Sequence, residues 1–463
     1  MKRGTFSVYG AVVLISCSGF LFSGASGDND SRGEWNIYFG NLHSHSGGSD
    51  GVGAPADAYK WAKDEGKLDF LCLSEHNHKE GDYTLDQVFS AANSATSSKF
   101  VALAGQEYST LPTSGGNHVN IYDLSARIPG DLNNNYRQIF TQFLGDYVNS
   151  NPNRIVVCQF NHPESIEHDY GIVAIGGFAN YGGNWPEFVN NVDPWVSLIA
   201  IISGPSDSNM GRDVTPPRDV HRDVDPKMKR SWHEYLEKGF HLSPVADQDN
   251  HSQSWGTRTT ARTAVLIQGA FNKENLLKAL KAGNCYATED KNLQVWFEID
   301  GAVMGSRIAD PGEKEVSVTV RIDDPDETDS QYTIHLYQDK VGDGELPDIV
   351  ESSDVVKTGE TWRTSLQHQA GTHELFFAHI DQENSQDDAW TAPIWIDPAL
   401  APESEGGPEI ITNPGGEQYA GSKNSNVYHY YNCKVVQQIK PENLVRYSTP
   451  PSGKRLHQNC PVE

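Results

Sequence analysis

Residues 40–51 read GNLHSHSGGSDG and directly follow the apolar run WNIYF at 35–39. A short apolar run that ends in glycine and polar residues is typical of a strand. Two histidines at positions i and i+2 of a strand project from the same face, so His43 and His45 can bring both imidazoles to one ion. The stretch therefore predicts a metal site where the first strand ends.

Further potential ligands recur along the chain, each close to a short apolar run. Such runs occur at 68–74, 101–106 and 155–160, and helical stretches such as 55–63 alternate with them. Strands that alternate with helices predict βα units, and a barrel of such units collects its chemistry at the C-terminal ends of its strands. We therefore expect the candidates to meet at one rim and to hold two or three divalent ions. The candidates are His43, His45, Asp50, His76, Glu107, His118, His162, Asp249 and His251.

The order of these motifs resembles a known family. The elements H-x-H, S-D-G, E-H-N, H-P and D-x-H resemble those of the PHP (polymerase and histidinol phosphatase) superfamily of metallohydrolases, and within it the secreted CehA/McbA-like branch. The resemblance covers residues 34–290 and implies an α/β fold, a distorted (β/α)7 barrel. It implies a first metal at His43, His45 and Asp249, a bridging Glu107, a second metal completed by His118 and His162, and a third at Asp50, His76 and His251. Glu75 stands where the family more often has aspartate, and Asp247 competes with Asp249 for the ligand role.

The ligand types suggest the chemistry. Mixed imidazole and carboxylate ligands suit Zn, Mn or Fe, and paired ions clamp the oxygens of an in-line displacement at phosphorus. We expect an exported phosphoesterase, a phosphodiesterase of small-molecule substrates that uses a metal-bridging hydroxide. Arg258 and Arg262 are candidate phosphate-binding catalytic residues, or they pair with surface carboxylates. The alternatives are hydrolysis of carboxyl esters or carbamates, and a binding protein without turnover.

The N-terminus predicts export. Lys2 and Arg3 precede an apolar stretch and then small residues, so residues 1–27 are typical of a secretory signal peptide. The protein is expected to be secreted or periplasmic. The stretch LISC, ending at Cys17, also resembles a lipobox, which would make the protein a lipoprotein. No later apolar run reaches the roughly 18 residues that a membrane-spanning helix needs.

The pattern changes after the predicted barrel. Residues 291–397 contain short alternating runs, such as 316–322 and 333–337, separated by turns rich in Asp, Gly and Pro. This pattern predicts an all-β sandwich domain. The acidic stretch 323–329, which we call the acidic loop, is either a Ca²⁺ site or a solvated loop.

A linker at 398–421 leads to a small C-terminal unit at 422–463. Its pairs H-x3-C and H-x2-C, formed by His429 with Cys433 and by His457 with Cys460, resemble the zinc-binding module of alkylation-repair proteins. There the last pair is usually C-x2-C, and histidine can replace cysteine at a structural zinc. The alternative is a disulfide between Cys433 and Cys460.

Charge bears on possible partners. The formal net charge of −26 disfavours general binding to nucleic acid, whose affinity comes largely from phosphate neutralisation. The C-terminal unit differs, because six Lys and Arg side chains stand there against two Glu, with tyrosines interleaved. Tyrosine rings can stack on bases. The tail is therefore a candidate nucleic-acid surface.

Overall fold

The computed structural model describes residues 35–109, 118–133, 135–163, 181–204 and 221–383, followed by 385, 387–398, 400, 419–423, 427–430, 439–440, 443–447 and 455–456. The described chain is a mixed α/β protein with one large sheet, two small sheets and comparatively few helices. The predicted signal peptide and Cys17 lie outside the described residues.

The first part of the chain supplies nine strands and seven helices. The strands are β1 (Trp35–Asn41), β2 (Phe70–His76), β3 (Val101–Tyr108), β4 (Val119–Tyr122), β5 (Val157–Phe160), β6 (Val196–Ile202), β7 (Ser243–Ala246), β8 (Arg262–Gln268) and β9 (Cys285–Thr288). The helices are α1 (Pro55–Asp64), α2 (Leu85–Ala95), α3 (Tyr136–Gln138), α4 (Leu144–Ser150), α5 (Trp185–Val192), α6 (Pro226–Glu237) and α7 (Lys273–Ala282). A 3-10 turn at Gly130–Leu132 precedes α3, and a π-helical turn at Ile139–Phe143 joins α3 to α4.

These strands follow the order β9-β8-β1-β2-β3-β4-β5-β6-β7 within the large sheet. The run β1-β2-β3 is parallel and so is β5-β6-β7, whereas β4 is antiparallel to both β3 and β5. The uniform alternation of strand and helix that the sequence predicted is therefore only partly present. The cause is the short connection from β3 to β4, because a parallel crossover needs a dozen or more residues.

The two ends of this strand order approach each other. The Thr263 hydroxyl on β8 donates to the Ala246 carbonyl on β7 at 2.7 Å and accepts from the Ala246 N–H at 3.1 Å. The Thr263 side chain thus links β7 and β8, which are not neighbours in the described strand order. The C-terminal ends of β1, β2 and β7 consequently face a common space.

Local sequence explains the two helices that cover β2 and β3. α1 starts with Pro55, whose fixed φ suits the first helical position, and α2 starts with a capping box formed by Thr84 and Gln87. Their apolar faces bury residues such as Tyr59 and Phe89 against strands that are buried along their whole length. Strands covered on both faces are typical of a parallel sheet between layers.

The described part of residues 294–397 is built of strands. They are β10 (Gln294–Ile299), β11 (Ala302–Val303), β12 (Arg307–Ala309), β13 (Lys314–Asp323), β14 (Gln331–Lys340), β15 (Asp348–Ser352), β16 (Val356–Lys357), β17 (Thr361–His368), β18 (Glu374–Gln382), β19 (Asp388–Thr391) and β20 (Ile394–Asp397). Alternate residues of β13, such as Val316 and Val318, are buried, as the period of two predicted. Pairing of Ala389 in β19 with Thr288 in β9 makes one of its two sheets continuous with the large sheet.

Four short strands represent the C-terminal unit. They are β21 (Tyr419–Ser422), β22 (Val427–Tyr430), β23 (Leu444–Tyr447) and β24 (Arg455–Leu456), and they form one small sheet. His429 belongs to β22, while Cys433, His457 and Cys460 lie outside the described residues. The structural zinc site and the alternative disulfide stay predictions. No helix in the described ranges has the length and hydrophobicity to cross a bilayer.

Candidate metal centre

All nine candidate ligands meet at one edge of the large sheet. His43 follows β1, His76 ends β2, and Glu107 is near the end of β3. His118 immediately precedes β4, and because β4 is antiparallel to β3, its start lies at the same edge as the end of β3. Asp249 follows β7. The antiparallel strand therefore brings a histidine to the same edge as the parallel strands.

The tightest group contains His43, His45, Glu107 and Asp249. The Nε2 atoms of the two imidazoles lie 3.2 Å apart, and each lies 3.2 Å from Asp249 Oδ1. Glu107 Oε1 lies 3.3 Å from His43 Nε2, and Glu107 Oε2 lies 3.3 Å from His45 Nε2. The two imidazole nitrogens and Asp249 Oδ1 therefore form an equilateral triangle, and the Glu107 carboxylate places one oxygen beside each imidazole.

The size of this triangle tests its fit to a metal ion. Three atoms 3.2 Å apart are spaced like three corners of a tetrahedron whose centre lies about 2.0 Å from each corner, which is the bond length of divalent zinc to histidine nitrogen and carboxylate oxygen. Two imidazoles and two carboxylates also match the ligand types that such ions prefer. This buried group can hold a metal ion.

Glu107 faces a second set of histidines. Its Oε1 atom lies 2.8 Å from His118 Nδ1 and 3.5 Å from His162 Nε2, and its Oε2 atom lies 3.0 Å from His76 Nδ1. The carboxylate is 1 % exposed, so it contacts these imidazoles in a nearly dry environment. The position of Glu107 between two groups of imidazoles is the one that the resemblance implies for a bridging ligand.

A third group lies on the other side of His45. Asp50 Oδ1 is 3.4 Å from His76 Nε2 and 3.4 Å from His251 Nε2, and the rings of His76 and His251 stack on His45. His76 therefore faces Glu107 with one ring nitrogen and Asp50 with the other. Lys79 forms an ion pair with the second oxygen of Asp50.

Backbone hydrogen bonds join the loops that carry these side chains. The His45 N–H donates to the Asn250 carbonyl at 2.7 Å, and the Val52 N–H donates to the His251 carbonyl at 2.9 Å. The buried indole of Trp255 donates to the His45 carbonyl at 3.0 Å. The loops that follow β1 and β7 are thus fixed against each other independently of any ion.

Two of the candidate ligands have strained backbones. His162 has a φ of +27° and Asp249 a φ of +45°, in the left-handed region that L residues other than glycine rarely adopt. Strain of this kind costs about 1 to 3 kcal/mol and is typical of functional sites, where the surrounding structure imposes it. The strain favours a role that needs these side chains in these places.

In this cluster, burial and the neighbouring opposite charges shift the pKa values in opposite directions. Burial would lower the pKa of His43, but the carboxylates of Glu107, Asp249 and Asp247 raise it well above its usual value. Burial also disfavours charge on His45, yet hydrogen bonds to Asp249 and Glu107 raise its pKa to about 9. Burial would raise the pKa of Glu107, and the surrounding imidazoles hold it well below its usual range. A divalent cation would take the place of these protons.

Unsatisfied polar atoms point the same way. Four buried atoms of the cluster make no hydrogen bond to another described group, namely His43 Nδ1, Asp50 Oδ1, His76 Nδ1 and Glu107 Oε2. Most buried polar atoms in folded proteins have a partner, and a cluster of exceptions indicates an absent ion or water. The unsatisfied atoms and the spacing of the two imidazole nitrogens and Asp249 Oδ1 support the same inference.

Two residues orient the ligands: Asp247, which the sequence offered only as an alternative to Asp249, and Asn161, which sequence reasoning missed. Asp247 lies 3.5 Å from His43 Nδ1, the ring nitrogen directed away from Asp249 and Glu107, and accepts hydrogen bonds from Gln159 and Ser203. Asn161 donates to Glu107 at 3.1 Å. A carboxylate behind a ligating imidazole fixes its tautomer and orientation. The signal available was the pair of polar residues, Gln159 and Asn161, inside the apolar run at 155–161.

Glu75 holds the histidine loop. It accepts hydrogen bonds from the Ser46 N–H at 3.0 Å and from the hydroxyls of Ser46 and Ser49 at 2.5 Å. Gly48 packs against it so closely that a Cβ there would lie 2.8 Å from the carboxyl carbon. Burial raises the pKa of Glu75, although His45 opposes the rise. The residue that departs from the family pattern thus shapes the loop that carries His45.

The two arginines occupy different surroundings. Arg262 is 3 % exposed, and its guanidinium donates to the carbonyls of Gly256, Thr259 and Ala261. Those bonds fix the loop that follows Asp249 and His251. Arg258 is half-buried in the same loop. The bonds of Arg262 differ from both sequence-based alternatives, phosphate binding and surface ion pairing.

Comparisons with known proteins assign no family to the chain. No protein-family model matches it. No curated protein matches it significantly. Among solved structures, the PmoD soluble domain from Methylocystis sp. ATCC 49242 (Rockwell) aligns with 12% identity over 23% of this chain and 90% of that chain, with a TM-score of 0.16. The β-glucosidase EmGH1 from Erythrobacter marinus aligns with 7% identity over 78% of this chain and 49% of that chain, also with a TM-score of 0.16. Scores this low carry no argument about fold or function.

Proposed function

We propose that this chain is a metal-dependent phosphoesterase that hydrolyses phosphodiesters. The observation that carries the proposal is the convergence of nine His, Asp and Glu side chains, with the Glu107 carboxylate shared between two groups of them. A shared carboxylate keeps neighbouring ions close together, as in sites that clamp both the attacking and the leaving oxygen of a phosphoryl group. The alternation of strands and helices from β1 to β3 and from β5 to β7 supports a distorted (β/α)7 barrel of the PHP type.

The ligand sets support two or three ions. His43, His45, Glu107 and Asp249 would hold the first ion, and His118 and His162 with Glu107 the second. Asp50, His76 and His251 would hold the third. The mixture of imidazoles and carboxylates favours Zn, Mn or Fe over Ca or Mg. When bound, such ions lower the pKa of water and neutralise charge on a phosphoryl group.

The residues of the chain then have separate tasks. Asp247 would hold the His43 ring with Nε2 directed at the ion, and Asn161 would orient Glu107. Lys79, which is partly exposed beside Asp50, would bring a positive charge to the rim where an anionic substrate enters. Arg262 would keep the loop of Asp249 and His251 in place through its three carbonyl contacts. Arg258 remains our candidate for a phosphate contact.

Two further parts of the proposal rest on sequence. Residues 1–27 support export of the chain, and the basic, tyrosine-containing tail supports contact with nucleic acid. A second function is hydrolysis of carboxyl esters or carbamates, which the same ligands would support, because metal ions also polarise carbonyl groups.

The test compares three substrates on the full chain loaded with Mn²⁺ or Zn²⁺: an aryl phosphodiester, an aryl phosphomonoester and an aryl carboxyl ester. Asp249→Asn should abolish diester turnover and lower the metal content. The matched control is Asp300→Asn, since Asp300 also has a positive φ but lies far along the chain in a β-turn. It should leave turnover unchanged.

The outcomes separate the candidate functions. Diester hydrolysis that disappears in Asp249→Asn supports the phosphodiesterase. Hydrolysis of the carboxyl ester alone would replace it with the second function. A chain that binds metal and hydrolyses none of the three would contradict both functions and leave a binding protein.

A further inference from the structure

A second group of metal-binding side chains lies outside the candidate metal centre. It forms where the loop before α6 meets the ends of β9 and β19. His221, Asp223 and Glu289 each offer a donor atom there, and these atoms lie within 4.8 Å of one another. None of the three belongs to the nine candidate ligands. Metal binding by this group can therefore be tested independently of the proposed function.

The donor atoms lie close to one another. His221 Nε2 is hydrogen-bonded to Asp223 Oδ1 at 2.6 Å and lies 3.8 Å from Glu289 Oε2. An ion would replace that hydrogen bond, with the donors at the spacing of about 3.0 to 3.4 Å between neighbouring ligands of a divalent transition metal ion. Asp387 approaches the other ring nitrogen, with its Oδ1 atom 3.1 Å from His221 Nδ1. This arrangement repeats the carboxylate–histidine pairing found behind metal ligands.

Glu289 is the buried member of the group. Its side chain is 2 % exposed, and it accepts hydrogen bonds from the Val224 N–H at 2.6 Å and the Asp388 N–H at 2.9 Å. These bonds hold the carboxylate between two chain segments. Burial, helped by the nearby Asp388, raises its pKa to about 8. A buried carboxylate is costly unless a cation or several donors compensate it.

The local charge is unbalanced. The carboxylates of Asp223, Glu289 and Asp387 lie within 3.8 Å of His221, and that of Asp388 lies near Glu289. Lys229 interacts electrostatically with Asp388 alone among these four. Within the ranges that the structure describes, no lysine or arginine forms an ion pair with any of the four. His379 pairs with Asp388 at 3.0 Å and contributes charge only when protonated. A divalent ion would neutralise the excess.

We propose that His221, Asp223 and Glu289 bind one divalent transition metal ion, such as Mn²⁺ or Zn²⁺, with Asp387 orienting the imidazole. The ion would join the loop that leads into α6 to the end of β9 and the start of β19. Because β19 belongs to the β-rich region and β9 ends the α/β region, the ion would join these two parts of the chain. One imidazole with two carboxylates leaves further coordination positions to water.

The test is equilibrium dialysis of the full chain against a fixed free concentration of Mn²⁺, with bound metal counted by mass spectrometry. His221→Ala and Glu289→Gln should each bind one ion per chain fewer than the wild type. Hydrolysis of the aryl phosphodiester should keep its wild-type rate. The control is His241→Ala, because His241 is similarly exposed but pairs with a single carboxylate, Asp193.

Both directions of the result are informative. Unchanged metal content in His221→Ala would overturn the site, and so would an equal loss in His241→Ala, which would indicate adventitious binding by imidazoles. Glu289 is buried, and circular dichroism identifies the case in which Glu289→Gln unfolds. His221 is partly exposed, and the His221→Ala result then decides alone.

Discussion

The candidate metal centre has nine potential metal ligands and the acidic loop at 323–329 has five carboxylates, but the structure arranges the two sets differently. Donors of the metal centre come from strand ends that are distant in sequence, and most are buried. Those of the acidic loop are adjacent in sequence, and Asp326, Glu327 and Asp329 are exposed around an open cavity of 440 Å³. Among the loop's carboxylates, that of Asp324 is buried.

The difference shows what distinguishes an ion-binding site from a stretch of charged residues. Among the described residues, the acidic loop supplies no group of three donor atoms within 4.8 Å of one another, and its exposed carboxylates are hydrated one by one. Side chains at the ends of several strands are held in place by the sheet, so their donors meet without further ordering. Preorganisation of this kind is what an ion-binding site requires. Three substitutions test this difference between the metal centre and the acidic loop.

The largest effect is expected for Glu107→Gln. The substitution removes the charge that the groups share, so hydrolysis of an aryl phosphodiester should fall by more than about 100-fold, since loss of a residue that only supports a ligand already costs about 10- to 100-fold. Steady-state kinetics with metal counting would measure it. Asp329→Asn in the acidic loop is the matched control and should change neither quantity. Wild-type activity of the Glu107→Gln variant would contradict the bridging role of Glu107.

A smaller effect is expected for Asp247→Asn. The amide would still accept from Ser203 but would no longer favour the His43 tautomer with Nε2 free to bind, so metal affinity should fall by about 10- to 100-fold. Competition with a chelator would measure the affinity. Asp193→Asn alters a comparable pair with His241 outside the cluster and should have no effect. An unchanged affinity in Asp247→Asn would mean that packing alone orients the ring.

The smallest effect concerns the acidic loop. Burial raises the pKa of Asp324 from its usual 3.8 to about 6, although the Tyr332 hydroxyl opposes the rise. The folded state then holds more protons than the unfolded state between these values, so stability falls as the pH rises from about 4 to 6. We expect a contribution of about 1 to 2 kcal/mol after solvent screening.

Asp324→Asn should remove that part of the pH dependence, because the amide oxygen can still accept from Tyr332. Denaturant unfolding at a series of pH values would measure the change. If Ca²⁺ at millimolar concentration abolished the pH dependence of the wild type, the loop would be a cation site, and the comparison with the metal centre would fail.

The convergence of the candidate ligands could be predicted because strand ends are recognisable in sequence. His43, His76 and Glu107 each follow or end an apolar run, and parallel strands bring such ends to one edge. The antiparallel β4 was not predicted, although residues 109–118 between β3 and β4 are fewer than the dozen or more that a parallel crossover needs. His118 still reaches the edge because reversing a strand exchanges its ends.

The supporting residues could not be predicted for a different reason. Asp247 and Asn161 act through contacts between strands far apart in sequence, and spacing along the chain carries no information about them. The surroundings of Arg262 depend on how a single loop folds back, because only that geometry presents three carbonyls to the guanidinium. The mixed α/β class followed from patterning, whereas strand direction depended on connection length.

The hydrogen bond from the Trp255 indole to the His45 carbonyl joins residues 210 positions apart. Closing a segment of that length costs chain entropy before any contact repays it, so this part of the structure should form late in folding. A partly synthesised chain that contains only His43, His45 and His76 would offer an ion a few mobile imidazoles. Tight metal binding therefore also requires the segment around residue 250. Bound metal would then indicate that folding is complete.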